Sequence, residues 1–575
     1  MIPSGHGTRI SGVAPRAYLG NYKALGIPTD AGVGLDGNAP ELVAAIEAAV
    51  ADGMDVINLS LGEPEIEPSR DVVARALDGA AAAGVVPVVA AGNDYDDFGN
   101  GSLTSPGSAA GAITVAAVSD EALPTVAGFS SAGPTPISLR LKPDVAAPGV
   151  GILSSVPGGW EASSGTSMAA PHVAGAAALL LQRHPAWSVA QLKSALTTTA
   201  RPVLDDGKPA EPVRGGAGLV DVAAADAPLL TTTPTAVSLG LLADGTDAVA
   251  TVRLADAGGG AGTWSASVEV VRALRASVSV PATVEVPGTL GLAVRVAPDA
   301  VDGDLTGVVV LRRGDSERRI PFWGRLATSA LAASSTTPLA RPGVVRGSTA
   351  GLAARATVYR YPQVPEGGAV TARLAGPERL YRITLGRRVA NLGVVILSRG
   401  QGVTVEPRLV EAADENRLTG YPALPLNLNP YLVGFGRPTL VAGAIAPEPG
   451  TYTAVFDSPT AAGAGSFTFR WWVDDTRPPT AVLLTRSVRR GVALRARVAD
   501  AGSGVDPSSI VARIDGRPVQ ARLVGSSLRI ATGDVARGTH TLRLQVSDYQ
   551  ETRNMENVAR ILPNTRILRV RVTIT

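Results

Sequence analysis

The chain has 575 residues, too many for a single hydrophobic core, and this length predicts three or four domains. Its 52 basic and 50 acidic residues leave a net charge of +2, which favours neither nucleic acid nor an anionic membrane as a partner. Cysteine is absent, which excludes thiol chemistry and Cys-ligated zinc, and no apolar run reaches the length of a membrane span.

Residues 1–226 alternate strand-like and helix-like segments. The segment 12–25 ends in a strand-like stretch, and Asn38 with Glu41 forms a capping-box pattern that predicts a helix. Further segments follow in chain order: a strand over 54–62, a helix over 69–84, strands over 85–93 and 112–119, a helix over 166–184, and a helix from Ser188 with Gln191. Apolar strands separated by helices predict a parallel sheet with helices on both faces, and so an α/β domain.

The pattern changes near Pro228. From there, short strands of alternating polarity, such as 248–256 and 540–548, are separated by Gly, Pro and Asp turns, which predicts β-sandwich domains. Linker-like segments at 334–343 and 475–480 divide this part of the chain. We therefore expect a fibronectin-III-like domain over 228–335, a β-sandwich over 344–475 and an Ig-like domain over 478–575.

The segment 164–175, S-G-T-S-M-A-A-P-H-V-A-G, places Ser167 in the first turn of a helix. A serine becomes a nucleophile only with a base for its proton and donors for the oxyanion, and free N–H groups at a helix start favour negative charge. An ordinary N-cap on a core helix could also read Gly-Thr-Ser. The full string, however, resembles the serine motif of the subtilisin-like (S8) serine peptidases, and Ala169 replaces the second glycine of a nucleophile elbow.

Two further segments carry the same resemblance. The segment 85–94 resembles the family's oxyanion strand, which implies that the Asn93 amide faces the oxyanion beside the Ser167 N–H. The segment 57–62 resembles the edge that pairs with extended substrate backbone. The cleft walls that the resemblance implies are Ser60, Leu61 and Gly62 on one side and Ala90, Ala91 and Gly92 on the other.

The resemblance implies an extracellular serine endopeptidase that hydrolyses extended polypeptides through an acyl-enzyme on Ser167. The segment 141–149, LKPDVAAPG, resembles a stretch before the serine loop and is interpreted as structural. We expect no cofactor and no metal. A rival interpretation is a non-catalytic surface or binding protein with a degenerate peptidase domain, in which the 348 residues after 227 carry the function.

The catalytic histidine is the open question, because the family uses Asp, His and Ser in that chain order. The sequence contains four histidines: His6, His172, His184 and His540. His172 occupies the position of a packed, non-catalytic histidine in the family. His6 lies in an H-G-T string, but the five residues before Gly12 span about 7.5 Å of helix and leave no return connection, so we interpret the string as chance.

No aspartate precedes His6, and the first residues lack the basic start and apolar core of a secretory signal. We therefore expect that the catalytic Asp, the catalytic His and any signal lie upstream of Met1. The chain is then truncated, and we expect 1–575 as given to be proteolytically inactive.

Three other patterns have alternative interpretations. Gly32, Gly34 and Gly37 fit G-x-G-x-x-G, but no strand leads directly into the first glycine, so nucleotide binding is disfavoured. Asp94, Asp96 and Asp97 could bind calcium, although a solvated loop is the simpler interpretation. Trp471 and Trp472 could form a carbohydrate platform, although one of two adjacent strand residues normally faces the core.

Overall fold

The computed structural model describes residues 10–28, 35–37, 39–63, 65, 71–357, 374–417, 441–553 and 564–575. These residues form two compact units. The first unit contains the described residues of 1–22 and 43–328, and the second contains those of 23–42, 329–359 and 373–575. The first two strands, β1 (Ile27–Pro28) and β2 (Leu35–Asp36), pair antiparallel. Residues outside the described ranges include His6, Gly32, Gly34 and Asn38.

The α/β part of the chain contains both long and single-turn helices. Its helices are α1 (Ala39–Ala51), α2 (Val72–Ala82), α3 (Tyr95–Phe98), α4 (Thr166–Arg183), α5 (Val189–Thr198), α6 (Pro212–Gly215) and α7 (Val222–Ala225). Its strands are β3 (Val56–Leu59), β4 (Val86–Ala90), β5 (Ile113–Val118), β6 (Val145–Pro148), β7 (Ile152–Val156), β8 (Gly159–Ser163), β9 (Leu204–Asp205) and β10 (Lys208–Pro209). Strands β3 to β6 form a parallel sheet in that order, and β7–β8 and β9–β10 are antiparallel hairpins.

The sheet is apolar on both sides, as a parallel sheet covered on both faces requires. Val115 and Ala117 of β5 pack into the cluster that contains α4 and α5, whereas Ala116 and Val118 pack with Val203 in a separate cluster. The helix starts follow local sequence. Asp71 caps α2, and the expected capping box of Ser188 with Gln191 is present at α5.

The expected strand at the end of segment 12–25 is wrong. Residues 10–26 form no strand, and Tyr18 and Leu19 are 98% and 96% exposed. A strand needs a hydrogen-bonded neighbour, and no described strand lies beside these residues in a sheet.

Residues 230–326 of the first unit form two packed sheets. Their strands are β11 (Leu230–Thr233), β12 (Val237–Leu242), β13 (Asp247–Asp256), β14 (Gly262–Arg272), β15 (Ala276–Ser279), β16 (Thr283–Val286), β17 (Gly288–Val296), β18 (Gly303–Arg313) and β19 (Ser316–Leu326). The sheet orders are β11-β13-β17-β15 and β12-β19-β18-β14-β16. Side chains of both sheets, Leu290 and Trp264 among them, share one buried core.

Buried contacts join this sandwich to the α/β part within the first unit. Trp323 of β19 is fully buried and packs with Leu141 and Val213. The Leu141 N–H donates to Ser238 Oγ at 2.8 Å. These contacts remove apolar surface from water on both sides of the junction.

The second unit holds two further pairs of sheets. Its remaining elements are β20 (Thr337–Pro338), β21 (Gly343–Ser348), β22 (Glu378–Leu385), β23 (Asn391–Arg399), β24 (Glu406–Glu411), β25 (Val441–Ile445), β26 (Gly450–Asp457), β27 (Ser466–Val473), β28 (Thr480–Leu483), β29 (Ser487–Val488), β30 (Leu494–Ala499), β31 (Val511–Ile514), β32 (Arg517–Val519), β33 (Ala521–Val524), β34 (Ser527–Ile530), β35 (Gly538–Ser547), α8 (Tyr549–Arg553), β36 (Thr565–Ile574) and 3₁₀ turns at Ala461–Gly463 and Pro507–Ser509. The sheet orders are β20-β22-β26-β24 with β21-β27-β23-β25, and β28-β30-β34-β33 with β29-β36-β35-β31-β32.

Each pair of sheets in the second unit encloses its own apolar core. Trp471 and Trp472 are both buried, at 3% and 1% exposure, so neither forms a surface platform for carbohydrate. The predicted fold class, an α/β domain followed by β-sandwich domains, is confirmed.

Three carboxylates of the second unit lie close together. Asp475, Asp500 and Asp548 each place an oxygen within 4.8 Å of the others, and Asp548 is fully buried. Burial raises the pKa of Asp548 to about 9, although a backbone hydrogen bond from Glu551 acts to lower it. The charges of Asp475 and Asp500 add smaller increases in the same direction as burial. Burial also raises the pKa of Glu551 to about 7.

We expect the second unit to lose stability as pH rises from about 4 towards 9. In that window the folded state keeps the Asp548 proton while the unfolded state has released it, so folding binds protons and high pH opposes it. One such proton corresponds to about 1.4 kcal/mol per pH unit, or up to about 3 kcal/mol between pH 5 and 7. The free energy of unfolding can be measured from hydrogen exchange of the β35 amides at several pH values. A chelator in the buffer keeps metal ions away from the three carboxylates.

The variant Asp548→Asn should reduce the slope of that profile, most clearly between pH 7 and 9, because it cannot ionise and, of the two groups, only Glu551 then binds a proton on folding. Asp534→Asn, which alters an exposed carboxylate in the same unit, should leave the slope unchanged. A flat profile for the unaltered chain, or the same slope for Asp548→Asn, would contradict the assignment.

Candidate active site

Ser167 lies in the first turn of α4, and its side chain is partly exposed. Gly165 is the N-cap of this helix. Ser167 Oγ donates to the backbone carbonyl of Ser60 at 3.4 Å, and Ser60 Oγ donates to the Ser167 carbonyl at 2.8 Å. The end of β3 and the start of α4 are therefore joined at the expected nucleophile.

Asn93 follows β4 and reaches the same helix start. Its Oδ1 accepts from the Thr166 N–H at 2.9 Å and from Thr166 Oγ1 at 3.0 Å. Because an N–H can only donate, the amide must present its oxygen to Thr166, and Nδ2 then makes no hydrogen bond with any described residue. Asn93 is an exposed residue, and its Nδ2 lies 3.4 Å from the position that a Cβ on Gly165 would occupy.

The two expected walls of the cleft differ in their surroundings. Ser60 and Gly62 are exposed and Leu61 is partly buried, whereas Ala90 and Ala91 are buried. Ala91 bonds through its N–H to the Val115 carbonyl and through its carbonyl to the Thr104 N–H. The segment 90–92 is thus fixed within the fold, and Gly92 bonds to Thr166 Oγ1 at 3.1 Å.

The three described histidines are all engaged away from Ser167. His172 Nδ1 bonds the Met168 carbonyl at 2.8 Å. His184 bonds Asp226 at 2.8 Å and stacks on Trp187 with ring centroids 3.9 Å apart. His540 bonds Asp515 at 2.6 Å. Within the described part of the chain, no histidine hydrogen-bonds to Ser167 Oγ; His6 lies outside that part.

The N-terminal part of the chain is similar in sequence to known proteins. Residues 3–221 match the family model described as Subtilase family. Subtilisin of Bacillus pumilus is 37% identical over 211 residues, which cover 34% of this chain and 70% of that protein. Subtilisin DY of Bacillus licheniformis is 35% identical over 236 residues, which cover 39% of this chain and 77% of that protein. The chain belongs to the subtilase family.

Other subtilases are matched over a smaller share of their length. Subtilisin E of Bacillus subtilis (strain 168) is 38% identical over 211 residues, which cover 34% of this chain and 51% of that protein. The chain thus spans about half the length of the first curated relatives it matches. A solved structure titled "S41 Psychrophilic Protease" is 30% identical, covers 36% of this chain and 70% of that chain, and has a TM-score of 0.31.

A buried ionic network supports the sheet of this subtilase below the site, in the segment that the sequence marked only as structural. Asp144 pairs with Lys142 at 2.6 Å and with Lys193 of α5 at 2.8 Å. Both lysines also donate to the Ala112 carbonyl. The Lys142-Pro143-Asp144 string before a buried strand is the only part of this network that neighbouring residues indicate. Its second cation, Lys193, lies about fifty positions further along the chain, so sequence alone does not pair it with Asp144.

The charges of this network perturb one another. Burial lowers the pKa of Lys142 to about 7, although Asp144 opposes that change. Burial alone would raise the pKa of Asp144, but the two ammonium groups outweigh it and hold that pKa below its usual range. The carboxylate of Asp144 therefore stays ionised.

The acidic loop of this subtilase lies just after Asn93. Burial, and next the charge of Asp97, raises the pKa of Asp94, whose N–H donates to Ser131 Oγ at 2.9 Å. Asp96 and Asp97 are exposed on α3. Calcium binding at these residues stays a prediction. Among the described helices, none combines the length and apolar character that a membrane crossing requires.

Proposed function

We propose that this subtilase is a serine endopeptidase that forms its acyl-enzyme on Ser167. The observation that carries the proposal is the junction of β3, β4 and α4. There, Asn93 is bonded to Thr166, the residue before the nucleophile, and has its Nδ2 donor unoccupied by the described residues. Two donors, Asn93 Nδ2 and the Ser167 N–H at the helix start, can thus serve one oxyanion.

The chemistry follows from this arrangement. Ser167 Oγ attacks the scissile carbonyl carbon while a base takes its proton, and the carbonyl oxygen becomes the oxyanion. Collapse of the adduct breaks the C–N bond, and the amine leaves with the proton that the base held. Water then attacks the ester, and a second adduct releases the carboxylic acid and restores the Ser167 hydroxyl.

The substrate in this proposal is an extended polypeptide. Strand β3 is an edge of the described four-strand sheet, and its continuation Ser60–Gly62 lies against the Ser167 turn. An edge can add a further strand through backbone hydrogen bonds. An extracellular location is part of the same proposal and rests on the family resemblance.

We also infer that the chain 1–575 has little turnover by itself. Ser167 Oγ bonds a backbone carbonyl, and no described histidine reaches it. A carbonyl cannot take the Oγ proton, so no base for Ser167 is found among the described residues. Because Ser167 is partly exposed, a small base from solution can enter beside it.

A fluorophosphonate probe tests this proposal on the full chain, with and without added imidazole. We expect imidazole-dependent labelling that disappears in Ser167→Ala and persists in Ser164→Ala, a matched change in the neighbouring loop. Equal labelling of the unaltered chain and Ser167→Ala, or no labelling at any imidazole concentration, overturns the assignment. Casein cleavage without imidazole overturns the inferred inactivity, and loss of that cleavage in His6→Ala identifies the base.

A second candidate function is a non-catalytic binding protein with a degenerate peptidase domain. The observation that favours it is the engagement of all three described histidines elsewhere. It predicts no covalent labelling under any condition, so the same experiment separates the two functions.

A further inference from the structure

The charge of the chain is unevenly distributed. Residues 478–575 contain sixteen arginines, no lysine and seven acidic residues, a formal charge of +9, whereas the whole chain has +2. The preceding 477 residues therefore carry a formal charge of −7. A strongly basic end on an otherwise acidic chain indicates an interaction with anions.

The strand register gathers these arginines into rows. In the sheet β28-β30-β34-β33, Arg522 lies directly opposite Arg529, and Arg529 lies directly opposite Arg495. All three are exposed, while the alternating residues, such as Leu494 and Leu528, are buried in the core. Since neighbouring strands are about 4.8 Å apart, the row presents three guanidinium groups over roughly 10 Å.

The second sheet of the same sandwich repeats the arrangement on its own outer face. Arg513 lies opposite Arg543, and Arg543 lies opposite Arg569. Arg569 is exposed and the other two are partly exposed. The core between the two sheets contains the residues that alternate with both rows, so the rows face away from each other.

Neither row is neutralised by the residues that the structure describes. None of the six arginines forms an ion pair with a described carboxylate; Arg513 donates to the Gly516 carbonyl at 3.1 Å and Arg543 to Gln545 at 3.1 Å. Like charges placed directly opposite each other on a sheet destabilise it. The rows thus oppose folding, and an external anion would remove that cost.

The chemistry of the rows limits the partner. Arginine binds carboxylate, sulfate and phosphate groups through paired N–H donors. The only aromatic residue among Phe, Tyr and Trp in 478–575 is Tyr549, which packs against Trp472, so the faces offer no ring on which a base could stack. A planar membrane contacts one face at a time, whereas both faces carry a row.

We propose that the C-terminal sandwich binds a linear acidic polysaccharide along its two arginine rows. Such a polymer repeats its anionic groups along an extended chain, and separate segments of it can lie across the two faces at once. The interaction does not depend on Ser167 and places the rest of the chain on an acidic matrix.

Binding of the full chain to immobilised polygalacturonate tests this proposal. We expect affinity to fall on the order of tenfold when Arg495, Arg522 and Arg529 are all changed to Gln, and similarly for Arg513, Arg543 and Arg569, with binding weakened by salt. A control that changes Arg253, Arg275 and Arg295 to Gln removes the same charge from exposed positions elsewhere and should bind normally.

The competing partners are tested in parallel with duplex DNA, phosphatidylglycerol vesicles and neutral dextran. Tighter or equal binding of DNA or vesicles overturns the assignment to polysaccharide. Unchanged affinity in both row variants, or equal loss in the control, overturns the role of the rows. The changed side chains lie on the outer faces, so each row variant should unfold at a temperature no lower than the unaltered chain, and a cooperative transition at or above that temperature confirms that the variant is folded.

Discussion

Asn93→Asp should slow acylation of Ser167 by about 10²–10³-fold, the loss measured for the corresponding kind of donor in a member of this family. The substituted carboxylate still accepts from the Thr166 N–H and hydroxyl, so the start of α4 keeps its two bonds. What disappears is the Nδ2 donor that the oxyanion needs. The effect is therefore chemical and leaves the fold intact.

The rate is followed as release of p-nitrophenolate from an activated ester in the presence of imidazole. Asn21→Asp, the same change at an exposed position, is the matched control and should react like the unaltered chain. Asn93→Leu, which also removes the acceptor, should be slow and less stable. An unchanged acylation rate in Asn93→Asp would show that Asn93 does not face the oxyanion.

Asp144→Ala should destabilise the first unit by about 3–5 kcal/mol, because removal of one member of a buried ionic network leaves its partners uncompensated. Here two ammonium groups, Lys142 and Lys193, lose their shared carboxylate at 4% and 10% side-chain exposure. The Thr114 N–H loses its acceptor as well.

Denaturant unfolding with a signal from the first unit measures the loss. The control is Asp247→Ala, which breaks a surface pair with Arg295 whose side chains are 69% and 80% exposed and should cost less than about 1 kcal/mol. A combined replacement of Lys142, Asp144 and Lys193 by apolar residues should recover much of the stability. Equal effects of Asp144→Ala and Asp247→Ala would contradict the expected contribution of the buried network to stability.

The elements that sequence predicted are those whose signals are local. The helix at Ser167, the capping box at Ser188 and the buried strands before Asn93 each depend on residues within a few positions of one another. The end of segment 12–25 has a strand-like composition too, but a strand depends on a neighbour that its own residues do not encode.

The parts of the site that could not be predicted depend on distant residues. The bond from Ser60 to the Ser167 carbonyl joins positions 107 apart, and Lys193 joins Asp144 from a helix on one face of the sheet. The arginine rows could not be predicted from the net charge either. The total of +2 is the sum of a basic C-terminal segment and an acidic remainder, and only the strand register shows that the arginines lie in rows.

The burial of Trp323 against Leu141 and Val213 has a consequence for how such chains evolve. A gene fusion that exchanged the sandwich 230–326 for another module would expose the apolar side chains of Leu141 and Val213 on the peptidase region. It would also remove the indole of Trp323 that covers them. We therefore expect an exchange of this sandwich to be tolerated only when the new module covers Leu141 and Val213 with an apolar face of its own.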